Sequence, residues 1–322
     1  MLTTGALDRP RLVRYGPAVI VVALLIATAV AFFAAEHLKL ERSPIQRPRV
    51  TTDFSPACDC PTNAATIAFR LRRRERVTID VVGGNGKAAT RLVAAQDLAR
   101  GPHSFVWDGR DDGGLPVRDG TYRVRITLAR EGRTITIPNT ITLDTVRPTA
   151  TPTAPIRPTV FSPDRDGRAE GISVHYRMSE PAHALLYVNG RLLARNHPTE
   201  PVGRISWYGG HRGRIYPPGR YRVSLGARDL AGNLAVPRAA GVVRIRFVEL
   251  ARRRIRAVAG RRFRVRVSTD AKTVSWRLRR RHGVAHPPVL VLRAPATPGR
   301  YRLYVIERGH AARAVIVVSR RS

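Results

Sequence analysis

The chain has 322 residues, too long for one typical domain and long enough for two or three units that each bury a core. Aromatics make up only 6%, Pro and Gly number 24 and 26, and the 43% apolar fraction lies in short alternating runs, which excludes both a disordered chain and a helix bundle. The formal net charge of +34 suggests phosphate partners, yet Lys39, Lys87 and Lys272 are the only lysines among 57 basic residues, an arginine skew that a GC-rich genome imposes on nearly any protein; charge alone therefore argues neither fold nor role.

The first element in chain order is Gly16 to Ala35, GPAVIVVALLIATAVAFFAA, uncharged and with Thr28 as its one polar side chain. At 1.5 Å per residue such a stretch reaches across about 30 Å of hydrocarbon. Ala29-Val30-Ala31 offers a signal-peptidase-like site, but the apolar run exceeds the ~7–15 residues of a cleaved leader, which favours an uncleaved anchor. Arg9, Arg11 and Arg14 before it nearly cancel Lys39, Arg42, Arg47 and Arg49 after it. The long β-rich region downstream then decides for N-in, C-out, because long domains translocate largely regardless of charge.

Next comes an internal repeat. Residues 54–71, FSPACDCPTNAATIAFRL, and 161–178, FSPDRDGRAEGISVHYRM, share Phe-Ser-Pro and an arginine, Arg70 or Arg177, at the same offset. Each copy continues into an Asn-Gly turn, Asn85-Gly86 and Asn189-Gly190, of the kind a two-residue hairpin needs. Each then closes on matching landmarks: Trp107, Gly109, Gly113, Gly120 and Tyr122 against Trp207, Gly209, Gly213, Gly219 and Tyr221. A weaker third copy of the closing strand, Pro298-Gly-Arg-Tyr-Arg-Leu303, points to a third, divergent sandwich.

The stretch VWDGRDDGGLPVRDGTYRVRITL at 106–128, preceded by ATIAFRLRRRERVTIDVVGGNGK, resembles the Ig-like repeat of the flagellar hook-capping (FlgD-type) family. The likeness covers residues 51–147 well and 159–235 more loosely; 241–322 fits only by analogy. The ending Ala227-Arg-Asp-Leu-Ala-Gly-Asn233 is similar to the D-x-A-G-N close of bacterial Ig-like domains. The resemblance implies antiparallel sandwiches of about seven strands and an adhesion, scaffold or spacer role. A hook-capping protein proper would not be expected to bear the N-terminal apolar helix.

Alternation supports the same class without the resemblance. Phe263, Val265 and Val267 alternate with Arg262, Arg264 and Arg266, as Val243, Ile245 and Phe247 do with Arg244 and Arg246, which buries one face of an antiparallel sheet and wets the other. The Pro/Thr-rich stretch TVRPTATPTAPIRPT, 145–159, reads as an extended spacer. The expected fold is thus all-β, with tandem Ig-like antiparallel sandwiches after one transmembrane helix. The boundaries read as a cytoplasmic stub (1–14), the helix (15–35), a linker (36–50) and modules at 51–147, 148–240 and 241–322.

Few residues suggest chemistry. Cys58 and Cys60, the only cysteines, read as a local disulfide staple, with redox exchange, intermolecular pairing or metal binding as alternatives. Asp164, Asp166 and Glu170 offer oxygens at calcium-loop spacing, but three carboxylates fall short of the six to eight oxygens calcium takes, and Arg165 and Arg168 reduce the local charge, so an Asx turn is the preferred reading. Asp108, Asp111 and Asp112 read as another turn, and Trp107, Trp207, Tyr122 and Tyr221 as core or corner residues. No G-x-S-x-G or H-E-x-x-H motif occurs and no nucleophile, base and orienter can be nominated, so no catalytic residue and no cofactor is assigned.

Residues 241–322 hold 22 Lys+Arg against Glu249, Asp270 and Glu307, and Arg262, Arg264 and Arg266 form the stripe that best suits an anionic partner. The sequence therefore reads as a single-pass cell-membrane protein, not an enzyme, whose extracytoplasmic modules act as a structural, adhesion or binding scaffold. Its expected partners are the membrane itself, anionic wall polymer or lipid headgroups, and envelope proteins. Alternatives are an accessory subunit that positions an envelope enzyme and, disfavoured because the aromatics point inward, a binder of nucleic acid.

Overall fold

The computed structural model describes residues 16–40 and 43–320, with side chains for 19–33 and 43–320. The stub at 1–14 and the first residue of the expected membrane segment lie outside the described residues. Among the described residues one helix, α1 (Gly16–Leu40), precedes three β modules. Among the described residues no helix is long and apolar enough to cross a membrane. In the part of α1 whose side chains are described, the consecutive residues Val19, Ile20, Val21 and Val22 are all exposed. Consecutive positions sample every side of a helix, so no face of this segment packs on the modules.

The first module contains β1 (Ile45–Val50), β2 (Asp53–Phe54), β3 (Ala65–Leu71), β4 (Glu75–Gly83), β5 (Ala88–Leu98), β6 (Gly101–Trp107), β7 (Gly120–Leu128) and β8 (Arg133–Leu143). The second contains β9 (Ala150–Pro152), β10 (Val160–Phe161), β11 (Ile172–Met178), β12 (Ala182–Val188), β13 (Arg191–Arg195), β14 (Val202–Trp207), β15 (Gly210–His211), β16 (Arg214–Ile215), β17 (Gly219–Asp229) and β18 (Arg238–Ile245). The third contains β19 (Glu249–Leu250), β20 (Arg254–Val258), β21 (Arg262–Ser268), β22 (Val274–Leu278), β23 (Arg281–Ala285), β24 (Val289–Arg293), β25 (Gly299–Glu307) and β26 (His310–Ser319).

Each module is a sandwich of a three-stranded and a five-stranded sheet with one topology. The small sheets run β1-β3-β6, β9-β11-β14 and β19-β21-β24; the large ones run β2-β8-β7-β4-β5, β10-β18-β17-β12-β13 and β20-β26-β25-β22-β23. In all three the short first strand of the large sheet pairs parallel to the last, and every other pairing is antiparallel. The third module, which repeats the sequence pattern least, thus repeats the topology in full. Alternation explains its strands: β21 buries Phe263, Val265 and Val267 and exposes the arginines between them. Three separate apolar cores result, one per sandwich.

Two boundaries and one spacer differ from the sequence reading. Ile45–Val50, assigned to a linker, is β1, paired with β3, and Ile45 is buried. The Pro/Thr-rich spacer belongs to module 2: Ala150–Pro152 pairs with β11, and Ile156 is buried in that module's core. Pro suits an edge strand such as β9, where a missing N–H costs no ladder bond. Finally, β18 pairs with β17, and Val243, Ile245 and Phe247 complete the core of module 2, so the third module starts near residue 248 instead of 241. The Asn-Gly turns also differ. Asn189 and Gly190 both have positive φ in a two-residue turn, whereas only Gly86 does in the longer β4–β5 turn, where Asn85 Oδ1 accepts the Lys87 amide.

Candidate functional site

The repeated landmarks converge inside each module. Trp107 packs at a tilt on Phe54 and edge-to-face on Tyr122, and Trp207 edge-to-face on Phe161, Tyr216 and Tyr221. Trp107 Nε1 donates to the Arg110 carbonyl and Trp207 Nε1 to that of Gly210, the same offset in each copy. Tyr122, Tyr221 and Tyr301 each donate their hydroxyl to the carbonyl four residues upstream, at Arg118, Pro217 and Thr297. Such a tyrosine corner ties a strand to the turn leading into it. Gly109 and Gly209 have positive φ, and a Cβ there would lie 2.9 Å from Leu143 Cδ1 and 2.5 Å from Pro163 Cγ, so the W-x-G spacing reflects both backbone and space. Phe54, Trp107, Tyr122, Phe161, Trp207 and Tyr221 are buried and Tyr216 and Tyr301 half-buried, and all of them pack on the cores.

Asp108, Asp111 and Asp112 are spent on turns. Asp108 accepts the Arg110 amide, Asp111 those of Gly113 and Leu115, and Asp112 the Thr90 hydroxyl and the Arg91 amide. The Arg91 amide bond, followed by the Thr90 hydroxyl, holds the Asp112 carboxyl below its ordinary range.

The groups that remain gather at the two junctions, where the loop after Phe-Ser-Pro meets the next module. At the first junction the loop bears the Cys58–Cys60 disulfide. Ser55 Oγ donates to Asn233 Oδ1 at 2.6 Å, and Thr62 Oγ1 donates to the Ala231 carbonyl at 2.7 Å. Asn233 Nδ2 donates both to Asp229 Oδ2 and to the Asp144 carbonyl, while Asp229 Oδ1 accepts the Gly232 and Asn233 amides. The D-x-A-G-N ending is therefore a clasp between modules. A Cβ on Gly232, whose φ is +108°, would lie 2.5 Å from Cys60 Sγ. Carboxylate oxygens of Asp144, Glu180 and Asp229 gather here within 4.8 Å. Burial first pushes the Asp144 and Glu180 carboxyls up.

At the second junction the module 2 loop 162–170 meets module 3. Asp164, Asp166 and Glu170 are brought together, with oxygens within 4.8 Å of one another. Glu170 accepts the Arg165 and Gly167 amides, Asp164 Oδ1 that of Asp166, and Asp166 Oδ1 that of Arg168, which makes this a chain of Asx-type turns. Module 3 adds two carboxylates the sequence reading left aside: Asp270 in the β21–β22 turn, bonded to Ser162 Oγ, and Glu307 at the end of β25. Burial, then a hydrogen bond with Asp164, then the charges of Asp164, Asp270 and Asp166 push the Glu307 carboxyl up to about 8. Phe247 and His310 stack across the same junction, with ring centroids 3.5 Å apart.

Arg262, Arg264 and Arg266 lie exposed along β21. Arg264 and Arg266 line one groove of about 900 Å³ with Arg252, Arg254 and Arg256. No ion pair joins any of these arginines to a carboxylate among the described residues; the pair Arg244–Glu249 instead links β18 of module 2 to β19 of module 3.

With the sandwich, its tyrosine corner and its turns established, the comparison with known proteins falls on module 1. Residues 62–132 match the family model of the FlgD Ig-like domain. No curated protein matches the chain. Among solved structures, FlgD from P. aeruginosa is 25% identical over 31% of this chain and 78% of its own, with a TM-score of 0.23. The fibronectin(III)-like modules of Clostridium thermocellum CbhA are 15% identical over 62% of this chain and 91% of theirs, with a TM-score of 0.34. The Bacteroides ovatus SGBP-B, solved with a mixed-linkage heptasaccharide, is 12% identical over 85% of this chain and 71% of its own, with a TM-score of 0.25. The FlgD Ig-like match spans most of the first sandwich, from just before β3 to the end of β7, which places the Trp107 and Tyr122 landmarks inside the family pattern. The chain is an array of Ig-like β-sandwich modules, an architecture consistent with a structural or binding scaffold.

Proposed function

We propose that this protein is a non-catalytic scaffold of the bacterial envelope, anchored in the cell membrane by the apolar sequence stretch 15–35, of which the residues with described side chains, 19–33, are too short a run to span a bilayer by themselves, and presenting three sandwiches on the extracytoplasmic side. The observation that carries this reading is that residues 19–33 of α1 are apolar but for Thr28 and exposed on every side, beside modules whose own cores are closed. A helix apolar on every side needs an apolar solvent, and lipid supplies it. The disulfide suits an oxidising compartment. In this reading the unpaired arginines of module 3 face anionic wall polymer or lipid headgroups, with screened, long-range attraction as the driving force.

Protease treatment of intact cells producing a C-terminally tagged chain tests the topology. The tag should be lost from a full-length species that stays with membranes after high-pH washing. A tag protected in intact cells, or a chain released by the wash, would refute the anchored, outward-facing arrangement.

A further inference from the structure

The two junctions are built alike yet balanced differently. In each, the downstream module presents one carboxylate from the turn after the central strand of its small sheet and another from the end of the equivalent strand of its large sheet: Glu180 and Asp229 at the first junction, Asp270 and Glu307 at the second. At the first, the Asn233 amide and two backbone N–H groups satisfy Asp229. At the second no amide fills that place. Asp164 Oδ2, Asp270 Oδ2 and both oxygens of Glu307 are shut off from solvent and receive no N–H or hydroxyl donor; Glu307, 3% exposed, has the Asp164 carboxyl as its hydrogen-bond neighbour.

Nearby arginines do not offset this charge. Arg168 Nη1 donates to the Asp270 carbonyl and Arg308 Nη1 to the Asp164 and Arg165 carbonyls; among the described residues no guanidinium pairs with these carboxylates. Buried carboxylates that face each other without donors are held together only by a proton or a cation between them. One proton would serve one oxygen pair and leave the remaining orphans. A divalent cation would offset the charge that Glu307 shares with Asp164, Asp166 and Asp270. The donors are exclusively hard oxygens, with no nitrogen or sulfur, and they come from three separate segments in an irregular arrangement. That suits Ca²⁺, which takes six to eight oxygens and tolerates irregular and bidentate geometry, better than Mg²⁺, which demands a near-ideal octahedron.

We propose that Asp164, Asp166, Asp270 and Glu307 form a Ca²⁺ site that clamps module 3 onto module 2. Glu307 and Asp270 supply the ligands of the downstream module and Asp164 and Asp166 those of the upstream loop. Glu170, whose oxygens already accept two amides, shapes the loop. The site does not depend on the membrane reading.

Isothermal titration of CaCl₂ into the chelator-treated full-length chain in detergent tests this, with MgCl₂ as the control and thermal unfolding as a second readout. The expected result is one saturable site per chain with a Kd of about 10⁻³ M or tighter and a rise in Tm with Ca²⁺. Glu307→Gln should weaken that binding at least about tenfold, the loss of a charged bidentate ligand. Asp166→Asn, on the half-exposed rim, serves if Glu307→Gln does not fold. Absence of Ca²⁺-dependent heat and Tm shift in the unmodified chain overturns the site, and a Tm raised by Glu307→Gln with or without Ca²⁺ assigns the buried charge to a proton. An equal response to Mg²⁺ overturns the choice of calcium, and unaltered affinity in both variants overturns the ligand set.

Discussion

Tyr122 shows how one atom secures a turn. Its ring packs on Trp107 while its hydroxyl bonds the Arg118 carbonyl, and burial raises its pKa, so the group stays a donor through the neutral range. Tyr122→Phe should cost about 0.5–1.5 kcal/mol, the net worth of one hydrogen bond, measured by urea unfolding. Gly232 is stricter. Gly232→Ala places a Cβ against Cys60 Sγ at a φ of +108° that an L side chain rarely adopts, so the clasp between modules 1 and 2 should lose about 1–3 kcal/mol. Limited proteolysis should then cut between modules 1 and 2 faster than in the unmodified chain; unchanged cleavage would mean that the clasp does not hold the junction.

At the scale of elements, segments rich in Pro prove structural. Ile156 is 4% exposed inside module 2, so Ile156→Ala should cost about 2–5 kcal/mol, whereas Thr153→Ala, on the exposed side of the same stretch, should stay within about 0.5 kcal/mol. Equal, small effects of both would restore the spacer reading. The alternation in β21 and the Tyr-bearing closing strands β7, β17 and β25 were legible in sequence because a period of two with one face buried leaves a direct mark. The short strands β1, β9 and β19 were not. Two to six residues with a single buried side chain give no period to read, and only pairing with β3, β11 and β21 makes them strands.

For the whole molecule, the arginines of β20 and β21 predict a salt-sensitive surface. Binding of the full chain to an anionic polymer such as polyphosphate should weaken steeply between about 50 and 200 mM salt, as the screening length contracts. Replacing Arg262, Arg264 and Arg266 together with Ser should remove most of that dependence; these side chains are exposed on a strand whose opposite face makes the core, so unfolding midpoints should barely change. Binding that ignores salt, or a triple variant that binds as before, would place the contact elsewhere.

By itself the sequence determined the local matters: alternating strands, the turns at Gly, Asn and Asp, the repeat of Phe-Ser-Pro, Trp and Tyr, and hence sandwiches in tandem. Those follow from short-range sterics and from the burial of one strand face. Only the tertiary structure decided which segments join which core, bringing Ile45 from an expected linker into module 1, Ile156 from an expected spacer into the core of module 2, and Ile245 from module 3 into module 2. It alone also brought Glu307 and Asp270 to the loop of Asp164, across 143 and 106 residues of chain. Carboxylates so far apart in sequence meet only when two closed sandwiches are docked end to end, and no local pattern records that contact.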